Sequence, residues 1–182
     1  ALSHAINRDN IVATQYNSKY KVMDYSLDYG SWLRGNAGDN SYNPELAQQI
    51  LQQNGWEYKY NRWQKTENYV TQTLTFRLVV QASNQTRVNI AEMIKADMAN
   101  IGINITIIKA SDNQYQSYIQ NKNYEAIITG TTISANPSIE TYMSACNFNN
   151  EELNNLMAEV KNITKDKARS GIAGVVRKMK EW

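Results

Sequence analysis

The sequence predicts an α/β fold in which helices flank a mixed β-sheet, and three consecutive segments support that prediction. Residues 74–80 alternate apolar with polar side chains, which is the period of a half-buried strand. Residues 84–101 carry apolar side chains three and four positions apart, the spacing of one face of an α-helix. Residues 103–108 are a second, β-branched run typical of a strand. A strand, a helix and a strand joined by short turns form a right-handed βαβ unit.

The ends of this central helix carry residues suited to capping. Ser83 or Asn84 offers a side-chain oxygen to the free N–H groups of the first turn. Gly102 follows the last apolar position and can adopt the left-handed conformation that ends a helix. We therefore expect tight turns on both sides of the helix.

The first part of the chain is predicted to contain two short helices and a long loop. Residues 1–6 form a short apolar stripe, and a second helix begins near Ile11 after a cap at Asp9 or Asn10. Residues 15–43 have no sustained periodicity and therefore predict a loop, which at this length is usually functional or packed across a surface.

A third helix and a hairpin are predicted between this loop and the βαβ unit. Asn43 followed by a proline is a strong helix start, and the glycine of 54–55 ends that helix. Residues 56–64 predict a hairpin with its tip at 61–62, and the polar residues 65–68 connect it to the βαβ unit.

The remainder of the chain continues the alternation of helix and strand. Ser111 or Asp112 caps a short helix, 124–130 is expected to be a buried strand, and 131–137 is a polar turn at its carboxyl end. The inward side of the short helix is predicted to carry Tyr115, Tyr118 and Ile119, and further helices are expected over 138–145, 153–160 and 164–179.

The composition indicates a globular domain and argues against several classes of function. Of the 182 residues, 42% are hydrophobic and 20% are charged, and the net charge is +2. So small a charge gives no electrostatic reason to expect nucleic acid or an anionic membrane as a partner. No apolar run approaches the ~20 residues that a membrane-spanning helix needs.

The residues that support catalysis or metal binding are scarce. Cys146 and His4 are the only cysteine and histidine, so neither an internal disulfide nor a histidine–cysteine metal site is expected. No phosphate-binding loop, nucleophile elbow or paired catalytic carboxylates occur in the sequence. We therefore expect no cofactor, no metal and no enzymatic activity.

Four segments, in order along the chain, match motifs of one known family. The first, ALSHAINRDNIV at 1–12, is similar to A-L-x-x-A-I-D-R-x-x-I-V. The others are NPELAQQIL with NGW within 43–56, AEMIKADMANIGI at 91–103 and NYEA at 123–126. They are similar to D-P-x-x-A-x-x-L-L…A-G-W, A-x-x-I-Q-x-x-L-x-x-I-G-I and x-Y-D-A. Together they resemble the family 5 extracellular solute-binding proteins, the peptide, dipeptide and nickel receptors of ABC importers.

The resemblance implies a two-lobed receptor that closes on its ligand. Residues 1–182 would form one α/β domain with the fold of a periplasmic-binding-protein lobe, namely most of the C-terminal lobe. We expect an excised part of a longer protein, because the first residues already form a helical pattern, with the N-terminal lobe and the final hinge strand lying outside it. The implied partners are a peptide or other small solute and the permease subunits. The implied location is extracytoplasmic, as a cell-surface lipoprotein or in the periplasm.

The loop after the strand at 124–130 is the first predicted ligand-binding segment, because ligands of open α/β sheets bind beyond the carboxyl ends of strands. In the peptide-binding relatives the matching segment resembles G-W-x-x-D-Y-x-x-P, whose Trp stacks on the ligand and whose Asp pairs with its amino group. Thr131 stands where that Trp would be, and Ser134 where the Asp would be. A serine cannot neutralise an ammonium group, so a standard dipeptide ligand is not implied. The residues expected to line the cleft here are Thr131, Thr132, Ile133, Ser134 and Asn136.

A second set of candidates lies at the start of the central helix and in the long loop. The resemblance implies that dipeptide-binding relatives use an Arg for the ligand carboxylate, at a position that corresponds to the neighbourhood of Gln81 and Ser83. Arg87 lies close by but inside the helix, where a solvated surface cation is the expectation. Trp32 and Arg34 could reach the cleft by stacking and by pairing with a carboxylate.

Two other functions are consistent with the sequence. One is a peptide-sensing or chaperone module that uses the same lobe without transport. The other is a hydrolase domain with the hydroxyl groups of 131–134 as nucleophiles, which would need a nearby base, whereas His4 is distant in sequence.

Overall fold

The computed structural model describes residues 1–23, 40–130 and 150–161. By its internal contacts the chain divides into two compact units. The first comprises 1–22 with 41–130, and the second comprises 23–40 with 131–182. That 1–182 forms one domain stays a prediction.

Three helices open the first unit. They are α1 (Leu2–Ala5), α2 (Arg8–Tyr16) and α3 (Pro44–Gln53). The cap of α2 is Asn7, whose side chain accepts the N–H of Asn10 at 3.0 Å, so the predicted caps Asp9 and Asn10 were placed too late in the chain. Asn43 caps α3 as predicted, since its Oδ1 accepts the N–H of Leu46 at 2.8 Å.

An antiparallel sheet follows, formed by β1 (Glu57–Lys59), β2 (Arg62–Glu67) and β3 (Val70–Thr73) in the order β1-β2-β3. The first tip is at Tyr60 and Asn61, one residue earlier than predicted, and both have positive φ. The prediction that 65–68 is a connection was wrong, because β2 continues to Glu67 and a second hairpin turns at 68–69. Apart from Trp63, the residues of these strands are mostly exposed, so no apolar alternation marks them in the sequence.

The predicted βαβ unit is confirmed. It consists of β4 (Thr75–Gln81), α4 (Gln85–Asn100) and β5 (Asn104–Ala110), and the two strands pair in parallel along their whole length. The cap is Asn84 rather than Ser83, since Asn84 Oδ1 accepts the N–H of Arg87 at 3.0 Å. Gly102 has φ +81°, the left-handed conformation that the sequence predicted for the end of α4.

The parallel sheet is completed by a short third strand. Helix α5 (Asp112–Asn121) follows β5, and β6 (Ala126–Ile127) pairs in parallel with the other side of β4, giving the order β5-β4-β6. The strand predicted over 124–130 is shorter than expected, because only two of its residues pair with β4. Both of these residues are half-buried, whereas a fully buried strand was predicted. The α/β class is confirmed, and within the described residues parallel and antiparallel strands lie in separate sheets.

Apolar side chains form the core on both sides of the parallel sheet. The larger cluster contacts α1, α3 and α4, and the smaller cluster lies under α5. Trp63 joins the antiparallel sheet to the larger cluster: it is 2% exposed and its Nε1–H donates to the carbonyl of Ile101 at 2.7 Å. The smaller cluster is centred on Val79, Ala110 and Tyr115, with Tyr118 and Ile119 packed against it, as predicted for the inward side of α5.

Only one element of the second unit lies within the described residues. Helix α6 (Glu151–Lys161) confirms the helix predicted over 153–160, and Leu153 is fully buried. The helices predicted over 138–145 and 164–179 lie outside the described residues. None of the helices described over 1–23, 40–130 and 150–161 is both long and apolar enough to cross a membrane.

Candidate ligand-binding site

The carboxyl ends of three parallel strands bring a group of polar side chains together. Strand β4 ends at Gln81, β5 ends just before the start of α5, and β6 leads to Gly130. The group, called the edge cluster below, consists of Gln81, Ser83, Arg87, Asp112 and Tyr115. Open parallel sheets bind ligands beyond this edge, because the loops that leave the strands there are free to vary.

Gln81 lies at the centre of the edge cluster and connects its two charged groups. Its Nε2 donates to Asp112 Oδ1 at 3.0 Å, and its Oε1 accepts from Arg87 Nη1 at 3.1 Å. These two bonds fix the orientation of the amide, since only the oxygen can accept and only the nitrogen can donate. The cluster therefore holds a cation and an anion on either side of one neutral side chain.

Asp112 is held as a carboxylate by its donors. Ser83 Oγ donates to Asp112 Oδ1 at 2.6 Å, and this bond together with that from Gln81 lowers the pKa of the Asp112 carboxyl below its usual value. Hydrogen bonds to the charged form stabilise that form, which is the cause of the shift. Oδ2 accepts from no described residue.

Arg87 differs from the solvated surface cation that its helical position predicted. It is partly buried, and its Nη1 also lies 3.5 Å from the hydroxyl of Tyr115. That hydroxyl donates to the carbonyl of Ile128 at 2.8 Å, which connects Arg87 through Tyr115 to the end of β6. The guanidinium lies against Gly130, because a Cβ placed there would come within 2.9 Å of Nη2.

Within the part of the chain that the structure describes, no carboxylate lies within ion-pair distance of Arg87. The described ion pairs lie elsewhere, as in Arg77 with Glu125 at 3.5 Å and Lys109 with Glu92 at 3.0 Å. The hydrogen-bond partners of the Arg87 guanidinium are neutral, namely Gln81 and Tyr115.

The predicted site residues divide into two groups. Gln81 and Ser83 are brought together at the edge of the sheet, where both bind Asp112. The residues Trp32, Arg34, Thr131, Thr132, Ile133, Ser134 and Asn136 lie outside the described residues, and their roles stay predictions.

Sequence reasoning missed Asp112 and Tyr115 as members of this cluster. Asp112 was predicted as a possible cap of α5, and Tyr115 as a residue on the inward side of that helix. Tyr115 is indeed only 3% exposed. The signal that could have found Asp112 is topological: it follows the end of β5, whose neighbour β4 ends at Gln81. The carboxyl ends of adjacent parallel strands meet at one edge.

The described residues contain no cluster of three or more His, Cys, Asp and Glu side chains that could hold a metal ion. The single histidine, His4, has Nδ1 2.8 Å from the carbonyl oxygen of Ser41. A carbonyl oxygen only accepts, so this ring nitrogen carries a proton and donates. This hydrogen bond therefore connects α1 to the segment just before α3.

Comparison with known proteins identifies the family. The fold is α/β, and a family model described as "Bacterial extracellular solute-binding proteins, family 5 Middle" matches residues 1–153. The chain therefore belongs to the family 5 bacterial extracellular solute-binding proteins. The resemblance inferred from four sequence motifs is confirmed.

Individual relatives are distant in sequence and longer than this chain. The chain is 24% identical over 138 residues to the "Peptide transport periplasmic protein SapA" of Salmonella typhimurium, a match that covers 75% of this chain and 23% of SapA. The structure of the Bacillus subtilis oligopeptide-binding protein AppA, in complex with a nonapeptide, matches 99% of the chain and 38% of AppA, with a TM-score of 0.82 and 20% identity. The structure of a Thermus thermophilus oligopeptide-binding protein complexed with a pentapeptide also matches, with a TM-score of 0.78 and 15% identity. That match covers 99% of this chain and 35% of the Thermus protein chain.

Proposed function

We propose that this chain is part of the C-terminal lobe of an extracytoplasmic receptor that captures a peptide or related small solute and delivers it to the permease of an ABC importer. The observation that carries the proposal is the edge cluster, in which Arg87, Gln81 and Asp112 are held together beyond the carboxyl ends of the parallel strands. Family membership supports the same role.

The edge cluster has the properties that a receptor site requires. Its charged groups are already oriented by hydrogen bonds before any ligand arrives, so binding would cost little side-chain ordering. Closure of a second lobe over the cluster would exclude water, and polar contacts to the ligand would become stronger. The solute would be released unchanged, so the role needs no catalysis.

Further ligand contacts are proposed from the sequence and the family resemblance alone. Thr131, Thr132, Ile133, Ser134 and Asn136 would supply hydroxyl, amide and apolar contacts to the ligand. Trp32 and Arg34 would contribute from the long loop, by stacking and by charge pairing.

Peptides are the proposed solute class because several relatives of the chain are described with peptides. SapA is described as a peptide transport protein, and the AppA and Thermus structures contain peptides. The partners would be the permease subunits and the N-terminal lobe of the same receptor. The location would be the periplasm, or the cell surface as a lipoprotein.

Native mass spectrometry of the full two-lobed protein, purified without added ligand, tests the proposal. We expect a heterogeneous series of retained masses that match short peptides. The control is the same protein unfolded, dialysed and refolded, which should lose those masses and regain them when a peptide library is added. Protein that is bare after purification and stays bare with the library would contradict the proposed function.

A further inference from the structure

Strand β3 has an outer edge that no strand of the described residues covers, and we infer that this edge pairs with the β3 edge of a second copy of this chain. The two copies would be related by a two-fold axis through Gln72, and their antiparallel sheets would join into one. Strand β3 leads into the amino end of β4, whereas the edge cluster lies beyond the carboxyl end of β4. The inference is therefore independent of the proposed ligand site.

The hydrogen-bond pattern between β2 and β3 shows which backbone groups face outward. The N–H of Leu74 donates to the carbonyl of Trp63 at 2.9 Å, which makes these two residues a hydrogen-bonded pair. Because hydrogen-bonded and non-hydrogen-bonded pairs alternate along an antiparallel ladder, Thr71 and Thr73 form non-hydrogen-bonded pairs with β2. The N–H and C=O groups of Thr71 and Thr73 therefore point away from β2, where no strand of the described ranges receives them.

No charge protects this edge from pairing. Residues 68–76 contain neither a charged side chain nor a proline, and all residues of β3 are exposed. Edge strands are commonly protected against pairing by lysines, prolines or bulges. The opposite edge of the same sheet follows this rule, because β1 carries Glu57 and Lys59 as an ion pair. The edge of β3 therefore lacks a protection that the other edge has.

The sequence of the β3 edge is complementary to itself. With the axis at Gln72, antiparallel pairing places this residue opposite its own copy and Thr71 opposite Thr73. Both threonines present outward backbone groups, so each of the two Thr71–Thr73 pairs would exchange two hydrogen bonds. The same register places Val70, which is 61% exposed, opposite Leu74, so two apolar side chains would contact each other. An axis through either threonine would instead place Gln72 opposite an apolar residue.

The pairing is expected to be weak and reversible. A standard protein interface has about 20–30 residues on each side, and a strand of four residues supplies far fewer. We therefore expect a monomer at low protein concentration and an increasing fraction of dimer as the concentration is raised.

Sedimentation velocity of the full two-lobed protein over a series of concentrations tests the inference. Gln72→Lys places two ammonium groups opposite each other at the axis and should weaken dimerisation at least about 5-fold, the effect of two unit charges about 4 Å apart in water. Gln72→Glu should weaken it similarly, through two carboxylates. An equimolar mixture of the two variants should restore dimerisation, because the lysine of one copy then faces the glutamate of the other.

Thr66→Lys is the matched control. Thr66 is exposed on the central strand of the same sheet, so a lysine there adds the same charge without lying at the axis, and dimerisation should persist. Thermal melting shows whether each variant is folded. Lys65 lies opposite Gln72 on β2 and would repel the new lysine. If Gln72→Lys does not fold for that reason, Gln72→Glu decides alone, and a dimer that it leaves unweakened would overturn the inference.

Three results would overturn the inference and leave the receptor function standing. The first is unmodified protein that stays monomeric at every concentration, in which case another part of the receptor or a different protein covers the edge. The second is a dimer that neither substitution of Gln72 weakens, because its interface then lies elsewhere. The third is a dimer that both substitutions weaken and their mixture does not restore, which would exclude two-fold pairing at Gln72.

Discussion

Gly102→Ala is expected to destabilise the lobe strongly, because two costs coincide at this position. Gly102 has φ +81°, and an alanine held in the left-handed region costs about 1–2 kcal/mol. Its Cβ would also overlap the ring of Tyr58, at 2.8 Å from Cζ and 2.9 Å from the hydroxyl oxygen. Tyr58 is 49% exposed and can turn aside, but it then loses its contact with Trp63, whose ring centroid lies 5.3 Å away. Overpacking of this kind costs about 1–3 kcal/mol, so we expect a total of about 2–5 kcal/mol.

Gly55→Ala is the matched control, because Gly55 also has φ +81° but its Cβ would make only an ordinary contact with Lys65 Cε at 3.4 Å. Urea unfolding followed by circular dichroism should show about 1–2 kcal/mol for Gly55→Ala. In Gly102→Ala combined with Tyr58→Ala, the ring overlap is absent, and a double-mutant cycle should return a coupling of about 1–3 kcal/mol. A Gly102→Ala variant as stable as Gly55→Ala, or a cycle without coupling, would refute this account of the turn.

Three further predictions concern the edge cluster and two residues beside it, Asn84 and Gly130. The pKa of the Asp112 carboxyl is lowered in the folded protein, so its contribution to stability is complete above the ordinary pKa of 3.8 and is lost as pH falls through the lower folded pKa. In Ser83→Ala, carbon NMR titration should show the pKa of Asp112 rising toward the ordinary value, and an unchanged pKa would refute Ser83 as the donor. Asn84→Ala should cost about 1 kcal/mol by urea unfolding, since it removes the cap of α4, and a cost near zero would contradict the cap. Gly130→Ala should change stability by less than about 1 kcal/mol in urea unfolding, because the crowded atom, Nη2 of Arg87, is the end of a flexible side chain that can move aside; a cost above about 2 kcal/mol would show that Arg87 is held rigidly beside Gly130.

The sequence was sufficient for the βαβ unit because several local signals agree there. The strand period before the central helix, the helical period within it and Gly102 after it all indicate the same chain path, and no tertiary information is needed to see them. The second hairpin was missed for the opposite reason. Its strands, 62–67 and 70–73, are mostly exposed, and Lys65, Thr66 and Glu67 show no buried face from which a strand could be predicted.

The edge cluster was only partly predictable, because its members come from distant parts of the chain. Gln81 and Ser83 were found only through the family resemblance, which pointed to the segment before the central helix. Asp112 is about 30 residues away in sequence and joins them because β4 and β5 end side by side. Arg87 was judged from its helical position alone, which cannot reveal that its side chain contacts Gln81 rather than solvent.

In the described parts of the chain, the side chains that form the core and the charged side chains of the edge cluster are different residues. Every buried residue of the described parts is apolar or aromatic, with no buried polar or charged side chain among them, so the core specifies the lobe through shape and hydrophobic burial. The charged hydrogen-bonding groups of the edge cluster lie at the carboxyl edge of the sheet, on exposed or partly buried side chains. Substitutions of these charged side chains would change what the proposed site can bind while costing the core little, whereas Tyr115 belongs to both the edge cluster and the core. A protein that is 20% identical shares this fold at a TM-score of 0.82, as expected when a fold depends on burial of apolar side chains rather than on the identity of its polar edge residues.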